Sequence, residues 1–160
     1  MHFELLADRP EAIPIVARWY FDEWCREAGH AYEEICQRIG APRERDQLPI
    51  VVLAVEGAFV VGVAELKPHE MQSLYPGRSP WLGGVFVRPE SRGQGIASAL
   101  AARIVEIAAQ GGHERIFLQT TALDGGLYAR LGWQPLEQVH YRGLDVLVMA
   151  KRLGQAESRR

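Results

Sequence analysis

The chain has 160 residues, of which 48% are hydrophobic and 24% are charged, and its formal net charge at pH 7 is −2. These values are typical of a single globular domain, and they exclude disordered, collagen-like and fibrous proteins. The balanced charge also excludes a polybasic protein, so we expect neither nucleic acid nor a membrane as a partner. Because the N-terminus is acidic rather than apolar and no apolar run approaches a bilayer-spanning length, the sequence predicts a cytoplasmic protein.

The cysteines and histidines predict neither a disulfide framework nor a metal site. Cys25 and Cys36 lack the Cys-x-x-Cys spacing of a metal or redox site, and they are typical of free thiols in a reducing compartment. The histidines are scattered without the spacing of metal ligands, at His2, His30, His69, His113 and His140. We therefore expect no metal.

The first elements in chain order are predicted to be a strand and two helices. Residues 3–7 form a short apolar strand, and Asp8 followed by a proline is typical of the start of a helix, which then runs to about residue 27. A second helix is predicted over residues 31–39, and Gly40 is expected to end it as a glycine just past the last turn.

The rest of the chain alternates hairpins with helices. The four-residue spacing of Ile96, Leu100 and Ile104 predicts a helix, and runs rich in Val and Ala predict strands. The predicted elements are strands at 50–55 and 59–66, a long connection at 67–80, strand Trp81–Val87, a helix at 93–110, a strand at 115–121, a helix at 124–131, and strands at 135–141 and 144–151. This order predicts one α/β or α+β domain over residues 1–153, with a mixed sheet, helices on both of its faces and a polar tail at 154–160.

A glycine-rich turn lies where the predicted strand Trp81–Val87 leads into the long helix. Helix N-termini carry unsatisfied N–H groups and about half a positive charge, and glycines let an anion approach that backbone closely. The turn therefore predicts a binding site for a pyrophosphate. The Arg92 charge is expected to attract the pyrophosphate, and Gly93 to allow its close approach. The expected hydrogen-bond donors are the backbone N–H groups of Gln94, Gly95, Ile96, Ala97 and Ser98.

Three common phosphate-binding motifs do not fit this turn. A Walker P-loop needs Lys where Ile96 follows Gly95, and a dinucleotide-binding fingerprint needs a third glycine where Ser98 stands. Glycine loops of the kinase type lie within a hairpin rather than at the start of a helix.

The turn resembles motif A of the GCN5-related N-acetyltransferases, whose pattern is Arg/Gln-x-x-Gly-x-Gly/Ala after a strand. Arg92, Gly95 and Ala97 occupy its three defining positions in VRPESRGQGIASAL. A second family motif, Leu-Tyr-x-x-x-Gly-aromatic, corresponds to LYARLGW at residues 127–133, with one helix and one strand between the motifs. The resemblance covers about residues 50–153. TTALDGGLYARLGW is also similar to the branch that contains the actin N-terminal acetyltransferase of animals.

The resemblance implies acetyl-CoA as the donor and a mostly antiparallel sheet of six to seven strands with a split between its central strands. The cofactor would lie in this split, between Trp81–Val87 and the strand at 115–121. The backbone of Val85 and Val87 would pair with the pantetheine amides, and an N–H near Phe86 would polarise the thioester carbonyl. Thr121 stands where many members have an asparagine that contacts the pantetheine.

The resemblance also implies that Tyr128 acts as the general acid toward the departing thiolate. Many members carry a glutamate on the strand before motif A as the base, but WLGGVFV has none. Its Gly83 and Gly84 are expected to leave room for an acceptor. Substitute bases are Glu65 on the preceding strand, and His69 or Glu70 in the connection that follows it.

The absence of that glutamate favours an amine that loses its proton easily. At pH 7 about one lysine-type amine in 2,500 is neutral, compared with about one peptide α-amine in seven. A peptide N-terminus is therefore the favoured acceptor. Small molecules such as polyamines or aminoglycosides remain an alternative, as does a catalytically silent module that only binds acyl-CoA; a dinucleotide enzyme is a more distant one. Both a monomer and a homodimer are compatible with the sequence.

Tryptophans are candidates for the wall of the acceptor site. Trp81 follows Pro80 at the start of a strand, so we expect it to be exposed at the mouth of the site. His69, in the connection at residues 67–80, is a further candidate for contact with the acceptor. Trp24 is a second candidate, although its helical spacing from other apolar residues favours a place in the core.

Overall fold

The computed structural model describes residues 1–154 and contains seven strands in one sheet, in the order β1-β2-β3-β4-β5-β7-β6. The last six residues of the predicted polar tail, 155–160, lie outside the described residues. The strands are β1 His2–Leu5, β2 Ile50–Glu56, β3 Phe59–Lys67, β4 Trp81–Val87, β5 Arg115–Thr120, β6 Gln134–Tyr141 and β7 Leu144–Arg152. The helices are α1 Ile13–Tyr20, α2 Tyr32–Gly40, α3 Ile96–Gln110 and α4 Gly126–Arg130.

The pairing of the strands is mostly antiparallel. β1 pairs with β2, β5 with β7, and β6 with β7 in antiparallel register, whereas β4 pairs with β5 in parallel, where Trp81 lies opposite Phe117. A parallel pair requires a crossover, which α3 provides between β4 and β5. This sheet, with helices in the connections between its strands, confirms the predicted α+β class.

The chain divides into two compact units. The first comprises Met1–Glu65 and Gly84–Leu100, and the second comprises Leu66–Gly83 and, of the described residues, the chain from Ala101 onward. Each has its own buried apolar cluster. That of the first includes Val16, Ala17, Leu53, Val55 and Val63, and that of the second includes Met71, Trp81, Phe117, Val148 and Ala150.

The predicted start of the first helix is wrong. Asp8 does not cap it; its carboxylate pairs with the Arg45 guanidinium, with the oxygen 2.7 Å from the nitrogen. The chain instead passes through two short 3₁₀ segments, Leu6–Asp8 and Pro10–Ala12, before α1 begins at Ile13. A carboxylate held by an arginine from a distant loop is not available to the helix N-terminus.

The end of α2 also differs from the prediction. Gly40 is the last residue of the helix rather than the residue after it. A Cβ at this position would lie 2.9 Å from Cδ1 of Ile13. The glycine is therefore explained by the close approach of α1 rather than by a turn.

Helix α1 continues into a wider turn. Residues Phe21–Cys25 form a π turn, in which the Arg26 N–H donates to the Phe21 carbonyl at 2.9 Å. Within residues 1–154, no helix combines the length and the apolar character that crossing a membrane requires.

Candidate functional site

The glycine-rich turn of the first unit presents its backbone to open space. Gly93 and Gly95 have φ angles of +79° and +81°, which other residues rarely adopt, and this is why α3 begins at Ile96 rather than at residue 93. A Cβ at either glycine would have no atom of residues 1–154 within 4 Å, apart from its own chain neighbours. Backbone conformation, not crowding by the protein, therefore requires glycine here, and the turn is accessible to a ligand.

The start of α3 supplies the donors expected of this turn. The first helical hydrogen bond runs from the Ala99 N–H to the Gly95 carbonyl at 3.0 Å. The N–H groups of Ile96, Ala97 and Ser98 therefore have no acceptor within the helix. Unsatisfied donors at the positive end of a 15-residue helix favour a bound anion.

The segment before the turn is fixed to the end of β4. Arg92 donates from Nε to the Val87 carbonyl at 2.8 Å, and its guanidinium carbon lies 5.2 Å from the centre of the Phe86 ring. Buried Ser91 accepts a hydrogen bond from Arg88 Nε at 2.8 Å. Arg92 is exposed, and in the described part of the chain neither of its Nη groups has a hydrogen-bond acceptor. Its charge is thus available beside the turn.

The middle of β4 is less buried than its ends, which is unusual for a strand that is not at the edge of the sheet. Gly83, Gly84, Val85 and Phe86 are half-buried, whereas the first two residues and the last residue of the strand are buried. Half-buried residues in the middle of a strand leave space beside it, and an extended ligand can pair with the backbone of a strand at such a place.

Gly84 bends β4 at this place. Its φ is +59°, and its carbonyl accepts a hydrogen bond from the Tyr20 hydroxyl at 2.8 Å. A Cβ here would collide with that hydroxyl and would lie 2.9 Å from Oε2 of Glu65. The expectation that Gly84 leaves room for an acceptor is therefore wrong, because side chains of the protein occupy that room.

Glu65 is fully buried and forms a two-pronged ion pair with Arg38 of α2. The Arg38 nitrogens lie 3.0 and 3.2 Å from its two oxygens. Burial lowers the pKa of Arg38, but attraction to the Glu65 carboxylate outweighs burial, so the pKa of Arg38 is raised. A carboxylate with both oxygens engaged by a guanidinium is poorly suited to accept a proton, and this geometry disfavours Glu65 as the base.

In the second unit, Glu70 lies against β4. One carboxylate oxygen accepts from Lys67 Nζ at 3.1 Å, and the other would collide with a Cβ built at Gly83. The room at Gly83, expected for an acceptor, is therefore also filled by the protein. The strand that lacks a glutamate of its own thus has a carboxylate beside it, contributed by the connection from β3. Glu70 is half-buried, whereas His69 is exposed.

Tyr128 lies on the short helix α4. Its ring meets Trp133 edge-on, with 6.1 Å between ring centres, and within residues 1–154 its hydroxyl has no hydrogen-bond partner. Burial raises the pKa of the Tyr128 phenol. Lys151 Nζ donates to the Leu131 carbonyl at 3.0 Å and so caps the end of this helix. The result is a protonated hydroxyl on a fixed helix, with its donor unused.

Thr121 is exposed and immediately follows β5, which ends one residue earlier than predicted. The neighbouring Thr120 hydroxyl accepts the Ala122 N–H at 3.1 Å. The turn at this point is therefore made by Thr120, which leaves the Thr121 side chain exposed.

The expectation that Trp81 is exposed is wrong. Trp81 is fully buried, with its ring centre 5.5 Å from that of Phe117 and 6.3 Å from that of Tyr75. Its indole N–H donates to the Arg78 carbonyl at 2.7 Å. Trp81 belongs to the core of the second unit and has no surface with which to contact an acceptor.

Trp24, by contrast, is 47% exposed and not part of the core. Its ring contacts Tyr20 and Phe86, with 5.7 and 6.5 Å between ring centres. Tyr20 and Arg38, which hold Gly84 and Glu65, were not predicted from the sequence. The one available signal was the pair of glycines within a strand pattern, since glycine there marks a bulge or a close approach.

Comparisons with known proteins identify relatives of this chain. A family model described as the acetyltransferase (GNAT) family matches residues 10–133. The structure is similar to an aminoglycoside 6′-acetyltransferase type Ii, with a TM-score of 0.75 and 21% identity, covering 96% of this chain and 98% of that chain. It is also similar to a ribosomal-protein-alanine N-acetyltransferase from Brucella melitensis, with a TM-score of 0.76 and 23% identity, covering 96% and 100%.

A third similar structure, an aminoglycoside 6′-N-acetyltransferase, was solved in complex with coenzyme A. It has a TM-score of 0.75 and 17% identity, covering 96% of this chain and 98% of that chain. No curated protein matches the chain.

Proposed function

The chain belongs to the acetyltransferase (GNAT) family, and we propose that it acetylates the α-amine of a peptide by direct attack of that amine on the thioester of acetyl-CoA. The observation that carries this proposal is the open glycine turn. Its backbone requires glycine, and the N–H groups of Ile96, Ala97 and Ser98 have no acceptor within the helix. When bound, acetyl-CoA supplies an acetyl group already activated as a thioester. All other requirements of the reaction fall to the side chains and backbone of this chain.

We assign the pyrophosphate to the turn and to the start of α3. The N–H groups of Ile96, Ala97 and Ser98 donate to it, together with those of Gln94 and Gly95, and Gly93 allows its close approach. The exposed Arg92 guanidinium contributes a positive charge on the same side as the helix dipole. Thr121 is assigned a single hydrogen bond to the pantetheine. Its hydroxyl takes the place of the asparagine amide that many members of the family have at this position.

The half-buried middle of β4 is assigned to the pantetheine and the thioester. The backbone groups of Val85 and Val87 pair with the pantetheine amides as an added strand does. The N–H near Phe86 donates to the thioester carbonyl as negative charge develops on its oxygen. The hydrogen bond from Tyr20 to the Gly84 carbonyl supports this assignment, because it fixes the bend that precedes these donors.

We assign the role of base to Glu70. Its carboxylate accepts, directly or through one water, the proton that the acceptor ammonium must lose before attack. Lys67 fixes the orientation of the Glu70 carboxylate through one oxygen and leaves the other against the glycine of β4. His69 is exposed and lies beside it in sequence, where it can contact the acceptor.

Tyr128 is assigned to the leaving sulfur as a hydrogen-bond donor. The ordinary pKa of a phenol, about 10, exceeds that of a thiol, about 8.5, by about 1.5. Full proton transfer from the phenol to the thiolate is therefore uphill by about 2 kcal/mol. Burial raises the pKa of Tyr128 and makes that transfer still less favourable. The hydroxyl therefore stabilises the sulfur by donating a hydrogen bond, and solvent completes the protonation.

A peptide α-amine is favoured over other acceptors because its ordinary pKa leaves a useful neutral fraction at pH 7. The similar structures include both a ribosomal-protein-alanine N-acetyltransferase and aminoglycoside acetyltransferases, so overall similarity does not separate peptides from small molecules. The choice has to be tested with acceptors.

The test is release of free thiol from acetyl-CoA in the presence of N-terminal peptides, peptides whose only amine is a lysine, polyamines and aminoglycosides. We expect the highest kcat/KM with N-terminal peptides. A higher kcat/KM with an aminoglycoside or a polyamine would reject the peptide assignment. Binding of acetyl-CoA without turnover of any amine would instead indicate a silent acyl-CoA-binding module.

A further inference from the structure

Trp19 and Phe86 of the first unit pack against its core, and Trp24 extends this group of aromatic rings to the surface. The ring of Phe86 on β4 lies 5.2 Å from that of Trp19 and 6.5 Å from that of Trp24, measured between ring centres. Trp19 and Phe86 are half-buried, and Trp24 is 47% exposed. We call Trp19, Trp24 and Phe86 the aromatic surface.

The π turn explains how both tryptophans reach the same ring. In a regular α-helix, residues five positions apart point about 140° away from each other. Here the Arg26 N–H bonds to the Phe21 carbonyl, five residues earlier, and this wider turn rotates Trp24 back toward the side on which Trp19 lies. π turns of this kind are rare and are frequent at functional sites.

Two carboxylates of this region already hold arginines, and Arg92, whose guanidinium carbon lies 5.2 Å from the centre of the Phe86 ring, adds a positive charge. Glu65 is engaged by Arg38, and Asp22, within the π turn, is 2.6 Å from the Arg26 guanidinium and 4.0 Å from that of Arg18. An acceptor with several positive charges gains little from carboxylates that already hold arginines. The surface offers apolar contact area instead.

Phe86 connects this surface to the reaction. Its backbone N–H is assigned to the thioester carbonyl, while its side chain forms the centre of the aromatic surface. An apolar group held against Trp24 is therefore held close to the carbonyl carbon that the amine attacks. A small first residue would leave the exposed indole without a partner.

We infer that the acceptor amine is attached to a large apolar group, as in a peptide whose first residue is phenylalanine, tryptophan or leucine. This inference rests on the proposed function, because it assigns the first side chain of the same acceptor. Packing against Trp24 and Phe86 selects that side chain, and the backbone N–H near Phe86 acts on the thioester. Trp24 is thus the residue that sets the preference.

The test compares kcat/KM for two peptides that differ only in a first residue of phenylalanine or glycine. We expect the phenylalanine peptide to be favoured at least tenfold, which corresponds to about 1.4 kcal/mol. In Trp24→Ala the ratio is expected to fall below threefold, and in Trp24→Phe, which keeps a ring, it is expected to stay above threefold. Ile15→Ala, on the same helix and 43% exposed, is the matched control and is expected to keep the full ratio.

The outcomes separate this inference from the function on which it rests. Turnover of N-terminal peptides without a preference for phenylalanine would overturn the inference alone, as would a preference that survives in Trp24→Ala while circular dichroism shows a folded variant. Failure of every amine to release thiol would overturn both. Phenethylamine, which has the ring but no peptide, is expected to have a lower kcat/KM than the phenylalanine peptide; an equal or higher value would overturn the peptide part.

Discussion

The hydroxyl of Tyr128 has no partner within residues 1–154, although its ring is packed edge-on against Trp133. A buried or half-buried hydroxyl usually finds a partner, and one that does not is available to a ligand. We expect Tyr128→Phe to lower kcat by about tenfold or more, while acetyl-CoA affinity stays within about threefold. Steady-state kinetics and calorimetry measure the two quantities. Tyr141→Phe, a change at another half-buried tyrosine, is the control and is expected to leave both unchanged.

The same residue sets an expectation for pH. Because burial raises the pKa of Tyr128 above the ordinary value near 10, the hydroxyl keeps its proton through the neutral and mildly alkaline range. Any loss of kcat through deprotonation of Tyr128 is therefore expected further into the alkaline range than for an ordinary phenol. An alkaline decline below pH 9 that disappears in Tyr128→Phe would contradict the assignment.

Glu70 is the residue to which the proposal gives the proton of the acceptor. We expect Glu70→Gln to lower kcat/KM by about tenfold to a thousandfold at pH 7, and the loss to shrink as the pH rises past the amine pKa near 7.8, where the amine is already neutral. The pH dependence of kcat/KM in the two proteins measures this. Glu106→Gln, which breaks an exposed ion pair with Arg103 at the same spacing of three residues, is the control.

A loss in Glu70→Gln that is equal at pH 7 and pH 9 would indicate a structural role for the carboxylate rather than proton transfer. No loss at either pH would remove Glu70 from the mechanism.

Strand β4 shows what can and what cannot be predicted from the sequence. Its bounds, Trp81–Val87, agree with the prediction, because an apolar run predicts a strand and the prolines on either side of it limit the length of that strand. The roles of its glycines did not follow from the sequence. Which side chains fill the space at Gly83 and Gly84 depends on Glu70 and Tyr20, which come from distant parts of the chain.

Trp81 and Asp8 were misplaced for the same kind of reason. A tryptophan at a strand start predicts exposure, and an aspartate two residues before a proline predicts a helix cap. In both cases contacts with residues distant in sequence determine the environment of the side chain instead. Phe117 and Tyr75 bury the indole, and Arg45 takes the carboxylate. Local patterns identify elements well, whereas burial and ion pairing are set by residues far apart in sequence.

The expectation for the glycine turn depends least on the tertiary structure. Its donors belong to the backbone at a helix N-terminus, so their positions follow from the helix start alone. The choice of base required the structure, because the sequence is equally compatible with Glu65, His69 and Glu70. The π turn that aligns Trp19 with Trp24 was not predicted, because the apolar spacing there is also compatible with an α-helix.

Each of the two compact units contains residues to which the proposal assigns a role. The first contains the turn, the bend at Gly84 and the aromatic surface, and the second contains Glu70, Thr121 and Tyr128. Cofactor affinity and acceptor preference should therefore respond mainly to changes in the first unit. Proton transfer should respond mainly to changes in the second.

Binding of acetyl-CoA to the turn at Gly95 is the central claim, and calorimetric titration of the wild-type protein, Gly95→Ala and Gly112→Ala tests it most directly. The two glycines have similar φ angles of +81° and +84°, and among the described residues nothing lies within 4 Å of a Cβ built at either. Both substitutions therefore impose a similar backbone strain. We predict that the wild type and Gly112→Ala bind acetyl-CoA alike and that Gly95→Ala binds at least about tenfold more weakly, because a side chain and a distorted turn then stand where the pyrophosphate binds. Failure of the wild type to bind, or equal affinity in all three proteins, would contradict the claim.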